Sequence, residues 1–153
     1  MSSPSLTGYL TFIRGVMGIS TSDLPDANTA IAMTYNLSVN LVNPALQSVP
    51  NTDSTQPSVY AVAVYNLGGD FLVNFAQDTA PSTYFATLRT HLGLNSFTAG
   101  VINSSSDEGT SQSMSTPKAF DELTISDLQR LKTPWGRTYL GIAQSFGTLW
   151  GMS

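Results

Sequence analysis

Cysteine is absent from the 153-residue chain, which removes disulfides, thiolate nucleophiles and thiolate-based zinc sites, and leaves the redox compartment unreadable. Histidine occurs once, at His91, so one subunit cannot build a metal site with two histidine ligands. Charge is scarce as well. Asp, Glu, Lys and Arg together make 10% of the residues, against roughly 25% in ordinary globular domains. Six Lys and Arg stand against ten acidic residues, for a net charge of -4. Such a chain has no cationic footprint with which to grip a phosphate backbone. No segment reaches the roughly 20 apolar residues of a membrane span. Met1 to Leu10 has neither a basic stretch nor a long apolar run, so synthesis in the cytoplasm without a membrane partner is the expectation.

In place of charge there are Ser, Thr, Asn and Gln. Charge is the usual protection against association, so a polar but weakly charged surface points to a chain that meets other subunits. The length fits one domain around one core, spanning residues 1–153.

The apolar spacing predicts a mainly α fold, a small helical bundle. Tyr9 or Leu10, Ile13 and Met17 recur at helical intervals over Leu6 to Met17, with Gly18 as the stop. The turn from Ser20 to Asp26 supplies capping side chains for a second helix with the stripe Ile31, Tyr35, Val39 and Val42, ended by Pro44. Ser48 to Ser58 has the composition of an exposed linker. Beyond it, Tyr60, Val64, Leu67, Phe71 and Phe75 share one helical face. The β-prone residues Val59, Tyr60, Val62 and Val64 leave a strand up to Leu67 as the rival. Asp78-Thr79-Ala80-Pro81 opens a further helix with Phe85, Leu88 and Leu92 buried and Gly93 as its stop.

Asn95 to Pro117 is small and polar almost throughout and cannot hold a core. It reads either as an inserted, β-hairpin-like extended arm over 95–117, with runs Thr98 to Ser104 and Thr110 to Thr116 around a turn at Ser106 to Gly109, or as a surface loop. Thr124 and Asp127 then start a short helix to Lys132. Thr133-Pro134 restarts a C-terminal helix or tail whose stripe is Trp135, Tyr139, Ile142, Phe146, Leu149 and Trp150, interrupted by Gly136, Gly141 and Gly147.

Catalytic chemistry finds little to work with. A lone His91 on a helix is usually structural, and no Gly-x-Ser-x-Gly elbow accompanies it. The adjacent carboxylates Asp107-Glu108 and Asp121-Glu122 lie in polar surroundings that would not raise a pKa. Asn66-Leu67-Gly68-Gly69-Asp70 lacks the spacing of a phosphate cradle, and two glycines in a helix more often mean close packing. Arg14, Arg89, Arg130 and Arg137 are scattered, as befits ion-pairing or carbonyl-binding groups. The expectation is a protein without catalytic residues, metal or cofactor.

Two stretches together resemble the head-to-tail adaptor (connector) proteins of tailed bacteriophages. The first is His91-Leu92-Gly93-Leu94 followed by Gly100 to Ser106 and Gly109 to Ser115, similar to that family's helix end, Gly-Val/Ile-x-Ser run and Gly-x-x-Ser-x-Ser run. The second is Thr133-Pro134-Trp135-Gly136-Arg137-Thr138-Tyr139-Leu140, similar to its Thr-x-Tyr/Trp-Gly-x-x-Tyr/Leu signature. The likeness covers roughly the C-terminal 40% of the chain and departs from the family at Asp107-Glu108, where the family is small and uncharged.

The resemblance implies a structural subunit of a virion neck. Its copies would form a ring, twelve-fold, beneath the portal protein and against the next neck or tail protein, with DNA passing through the channel without specific binding. It further implies an arm contacting the neighbouring subunit, here Val101, Ile102, Ser105, Gly109, Ser111, Ser113 and Met114. A docking segment over 133–153 would meet the portal through Tyr139, Phe146, Leu149 and Trp150. The alternative from another class is a carbohydrate- or fibre-binding module using exposed aromatics, which would be all-β; a hydrolase stands third.

Overall fold

The computed structural model describes residues 3–53, 55–95, 104–107, 110–113 and 125–146. Helix α1 (Leu6–Gly15) starts at Ser5, whose hydroxyl accepts the Gly8 amide at 3.0 Å. Gly18, at φ +69°, takes the left-handed conformation that lets the chain turn away. Helix α2 (Thr29–Leu41) is capped by Asn28, which accepts from the Ala30 amide. The cap is thus not among Ser20 to Asp26, as expected. Those residues stabilise their own turn instead, with Ser20 bonded to Ser22 and Asp23. Asn43 caps a 3-10 turn, Pro44–Ser48, in the same way.

Helix α3 (Val59–Phe75) is helical throughout, which disposes of the rival strand. It is the axis of the fold. Helices α1 and α2, the 3-10 turn, helix α4 (Tyr84–His91) and helix α6 (Pro134–Ser145) all pack on it, and α6 does so most extensively. The expected single stripe is therefore too narrow. Tyr60, Val64 and Leu67 are core, but so are Ala61, Ala63 and Tyr65 on other faces, while Phe71 sits at the rim and Phe75 is 48% exposed. A helix surrounded by partners buries its whole girth. Its small residues set how closely they come. A Cβ on Gly68 would stand 3.0 Å from the Tyr9 ring, and one on Gly69 3.2 Å from the Met17 sulfur.

The Tyr9 ring lies at the centre of an aromatic group, with centroids 5.8 Å from Tyr35 and 6.0 Å from Tyr65. Its hydroxyl shares a 3.1 Å hydrogen bond with Thr34 across α1 and α2. Burial pushes that phenol's pKa upward. Helix α4 begins three residues later than Pro81. Asp78 nonetheless caps it, its two oxygens accepting the Phe85 and Ala86 amides at 2.7 and 2.8 Å, and Gly93 ends it at φ +64°.

Helix α5 (Ile125–Arg130) and α6 complete the helices among the described residues, which are mainly helical. Strands β1 (Ser104–Asp107) and β2 (Thr110–Ser113) pair antiparallel, Ser104 opposite Ser113 and Asp107 opposite Thr110. Ser106 and Asp107 therefore belong to a strand and not to the expected turn. The arm over 95–117 as an inserted element of the fold is not supported: among the described residues it amounts to two strands of four residues in a local ladder, and an isolated two-stranded hairpin is marginal in water.

The glycines give a test. Gly68→Ala should lower unfolding free energy by about 1–2 kcal/mol, because the fully buried Tyr9 ring has no room to retreat. Gly141→Ala, where an added Cβ meets nothing within 4 Å, should raise it by about 0.5–1 kcal/mol. Urea melts of both variants check the pair.

Candidate functional site

The most heavily built polar feature is the joint between α3 and the α5–α6 corner. Asp70 is 3% exposed at mid-helix in α3. Its Oδ1 accepts the Thr133 hydroxyl at 2.5 Å, and the same Thr133 oxygen accepts the Gly136 amide at 2.9 Å. Thr133, itself fully buried, thus caps α6 and fastens it to α3 with one side chain. A Cβ on Gly136 would overlap the Arg130 carbonyl oxygen and crowd the Thr133 hydroxyl. Arg130 pairs with Asp127 at 2.9 Å, and its guanidinium lies 5.8 Å from the centre of the Tyr139 ring.

Electrostatics at this joint follow from burial. Desolvation raises the Asp70 pKa from its ordinary 3.8 to about 6, with the Thr133 hydroxyl and the Arg130 charge pulling the other way. The Tyr139 phenol is likewise pushed up to about 12 by burial. Asp70 is closed to a substrate, so its chemistry is that of a structural proton site.

The four arginines behave as the sequence implied. Arg14 donates to the Ile19 and Leu24 carbonyls at 2.8 and 2.6 Å and pairs with Asp26 at 2.5 Å. Arg89 ties α4 to the end of α3 through the Val73 and Ala76 carbonyls. Arg137 donates to the Leu131 carbonyl at 2.9 Å. Lys132 reaches the Gly93 carbonyl at 3.0 Å.

His91 borders a shallow groove of about 540 Å³ with Asp23, Ser82, Tyr84, Thr87 and Leu88. Asp23 uses its oxygens on the hydroxyls of Ser20 (2.6 Å) and Ser82 (2.7 Å), which hold its carboxyl below the usual range. No hydrogen bond among the described residues joins His91 to Asp23 or to a serine, so no relay is assembled there. Among the described residues, no three His, Asp or Glu side chains gather closely enough to hold a metal ion, and no helix is long and apolar enough to cross a membrane.

The sequence-predicted contact residues fall in different places. Tyr139 is 3% exposed, and this corrects its assignment to a docking surface: its ring is core, packed where α6 lies on α3. Phe146 is half-buried against that core. Leu149 and Trp150 lie outside the described residues, as do Val101, Ile102, Gly109 and Met114. Ser105, Ser111 and Ser113 are ladder residues, opposite Gln112, Ser106 and Ser104. What sequence reading missed is Asp70. Its signal was there, as the one charged residue in the 17-residue helix α3.

No family model matches the chain, and no curated protein or solved structure matches it.

Asp70 supplies a pH test. A carboxyl whose folded pKa lies above its unfolded value stabilises the fold while protonated, and loses that contribution as pH rises from about 4 through about 6. The shift from 3.8 to about 6 corresponds to about 3 kcal/mol. Wild-type stability should therefore fall between pH 4 and 6.5 by up to that amount, and Asp70→Asn should flatten the dependence. Denaturation midpoints over this range measure it; an unchanged slope in the variant would assign the effect elsewhere.

Proposed function

We propose that the chain is a structural subunit, without catalytic residues, of a bacteriophage head-to-tail connector: copies form a ring beneath the portal, join capsid to tail, and surround the DNA without gripping it. One observation carries the reading. The Thr133-Pro134-Trp135-Gly136 signature, on which half of the resemblance rests, is the stretch that fastens α6 to α3 through the Thr133–Asp70 bond and the close Gly136–Arg130 approach. The part of the likeness that can be placed thus lies in a structural joint and not in a loop.

The charge distribution supports it. Each described arginine is committed to backbone carbonyls or to a neighbouring carboxylate, which suits a conduit that must let DNA slide. In this reading the arm of residues 95–117 reaches the neighbouring subunit, and the end of the chain, from Phe146 through Leu149 and Trp150, meets the portal. The binding-module alternative required an all-β fold with exposed aromatics, whereas the described residues are mainly helical and the Tyr139 ring is buried.

Electron microscopy of the purified full chain, alone and with a portal protein from a tailed bacteriophage, tests this. Closed rings on the portal are the expected result, and particles with bare portal faces at high subunit concentration would sink the proposal. Removing residues 147–153 should leave the melting temperature within a few degrees of wild type, because α6 ends at Ser145, while reducing portal attachment.

A further inference from the structure

A ring of more than two copies is closed by heterologous contacts, so each subunit must carry two different patches that fit each other. The few charges of this chain are sorted in a way that supplies such a pair. Asp23 is bonded to Ser82, just ahead of the first turn of α4, and Asp78 caps that turn. Asp26, three residues from Asp23, keeps 63% of its side chain exposed beside Arg14. At this end of α4, three carboxylates stand against two cations, Arg14 and the carbonyl-bound Arg89.

About 12 Å of helix away, Lys132 is bonded to the Gly93 carbonyl beyond the last turn of α4. It belongs to the corner that also holds Arg130 and the exposed Arg137. There, among the described residues, three cations stand against Asp127 and Asp70, and Asp70 is buried. The two ends of one short helix thus carry opposite excess charge. Elsewhere the surface is poor in charge: α2 has none, and the only charge of α3 is the buried Asp70.

We propose that the acidic turn around Asp23 and Asp26 of one copy docks against the basic α5–α6 corner of the next, with Asp26 and Arg137 as the exposed pair that sets the direction of the ring. The inference rests on the connector reading and names the subunit contact within it. Complementary charge at the rim of an interface governs orientation and encounter. In a chain with so few charges, reversing one exposed member changes the sign of much of a patch.

Charge reversal and mixing test it. Asp26→Lys and Arg137→Glu should each weaken self-association by roughly tenfold, read by mass photometry and electron microscopy of full-length protein at low ionic strength, on the portal where rings need that template. An equimolar mixture of the two variants should recover rings, because alternating copies restore opposite charges at every contact. Circular dichroism melts identify a variant that fails to fold. Salt titration of the wild type is independent of any substitution, and association should weaken steeply as ionic strength rises. Wild-type rings that are insensitive both to the reversals and to salt would overturn this contact and leave the connector reading standing. A wild-type chain that forms no ring even on the portal would remove both.

Discussion

The carboxylate of Asp70 sits at the centre of α3, and the hydroxyl of Thr133 is what makes that position tolerable. A buried carboxylate without a partner costs far more than a surface one, so the helix that brings Thr133 must arrive at one place in one orientation. Thr133 is also the cap of α6. The start of α6 and its docking on α3 are consequently one event, and the Gly136 contact with the Arg130 carbonyl fixes how tightly the preceding corner folds back. The remaining packing of α6, with Tyr139, Leu140 and Ala143 against α3, follows from that anchor.

The rest of the molecule applies a similar economy. Backbone carbonyls left over at helix ends and turns are satisfied by long cationic side chains: Arg14 across the 19–26 turn, Arg89 at the end of α3, Arg137 beyond α5 and Lys132 beyond α4. Cations used this way are held by the backbone, and at the α5–α6 corner three of them come together. Among the described residues the fully exposed charges are few: Asp26 and Arg137 toward the two ends of α4, and Asp53 in the loop before α3. Interiors and helix ends are thereby served by a small set of residues.

How much of this was legible in the sequence depended on whether the determinants were local. The helix stops at Gly18 and Gly93 and the restart at Thr133 follow from single residues and their neighbours, and each was readable. The cap of α2 was misplaced because Ser20, Ser22 and Asp23 have the right chemistry for capping but spend it on one another. The full burial of α3 was missed because Ala61, Ala63, Gly68 and Gly69 register as weakly apolar or helix-breaking, whereas in the fold they are the positions at which neighbours come nearest. Asp70 could be picked out as an isolated charge in an apolar helix. Its partner lies 63 residues away, and no local pattern announces a pairing of that range. The aromatic stripe of α6 was found, but periodicity cannot say whether a stripe faces its own core or another protein, and Tyr139 faces the core.

The bond from Lys132 to the Gly93 carbonyl spans 39 positions of sequence in 3.0 Å. The two residues that frame this stretch of chain therefore meet at one point of the helical body, and α5, just ahead of Lys132, belongs to that body. Loop-closure entropy grows only with the logarithm of length, about 0.6 kcal/mol for each doubling. Closing a segment of this length therefore costs little more than closing one half as long. Gly93 and Lys132 thus act as a doorway: residues inserted between them would load the helices joined at Asp70 by little more than that closure term.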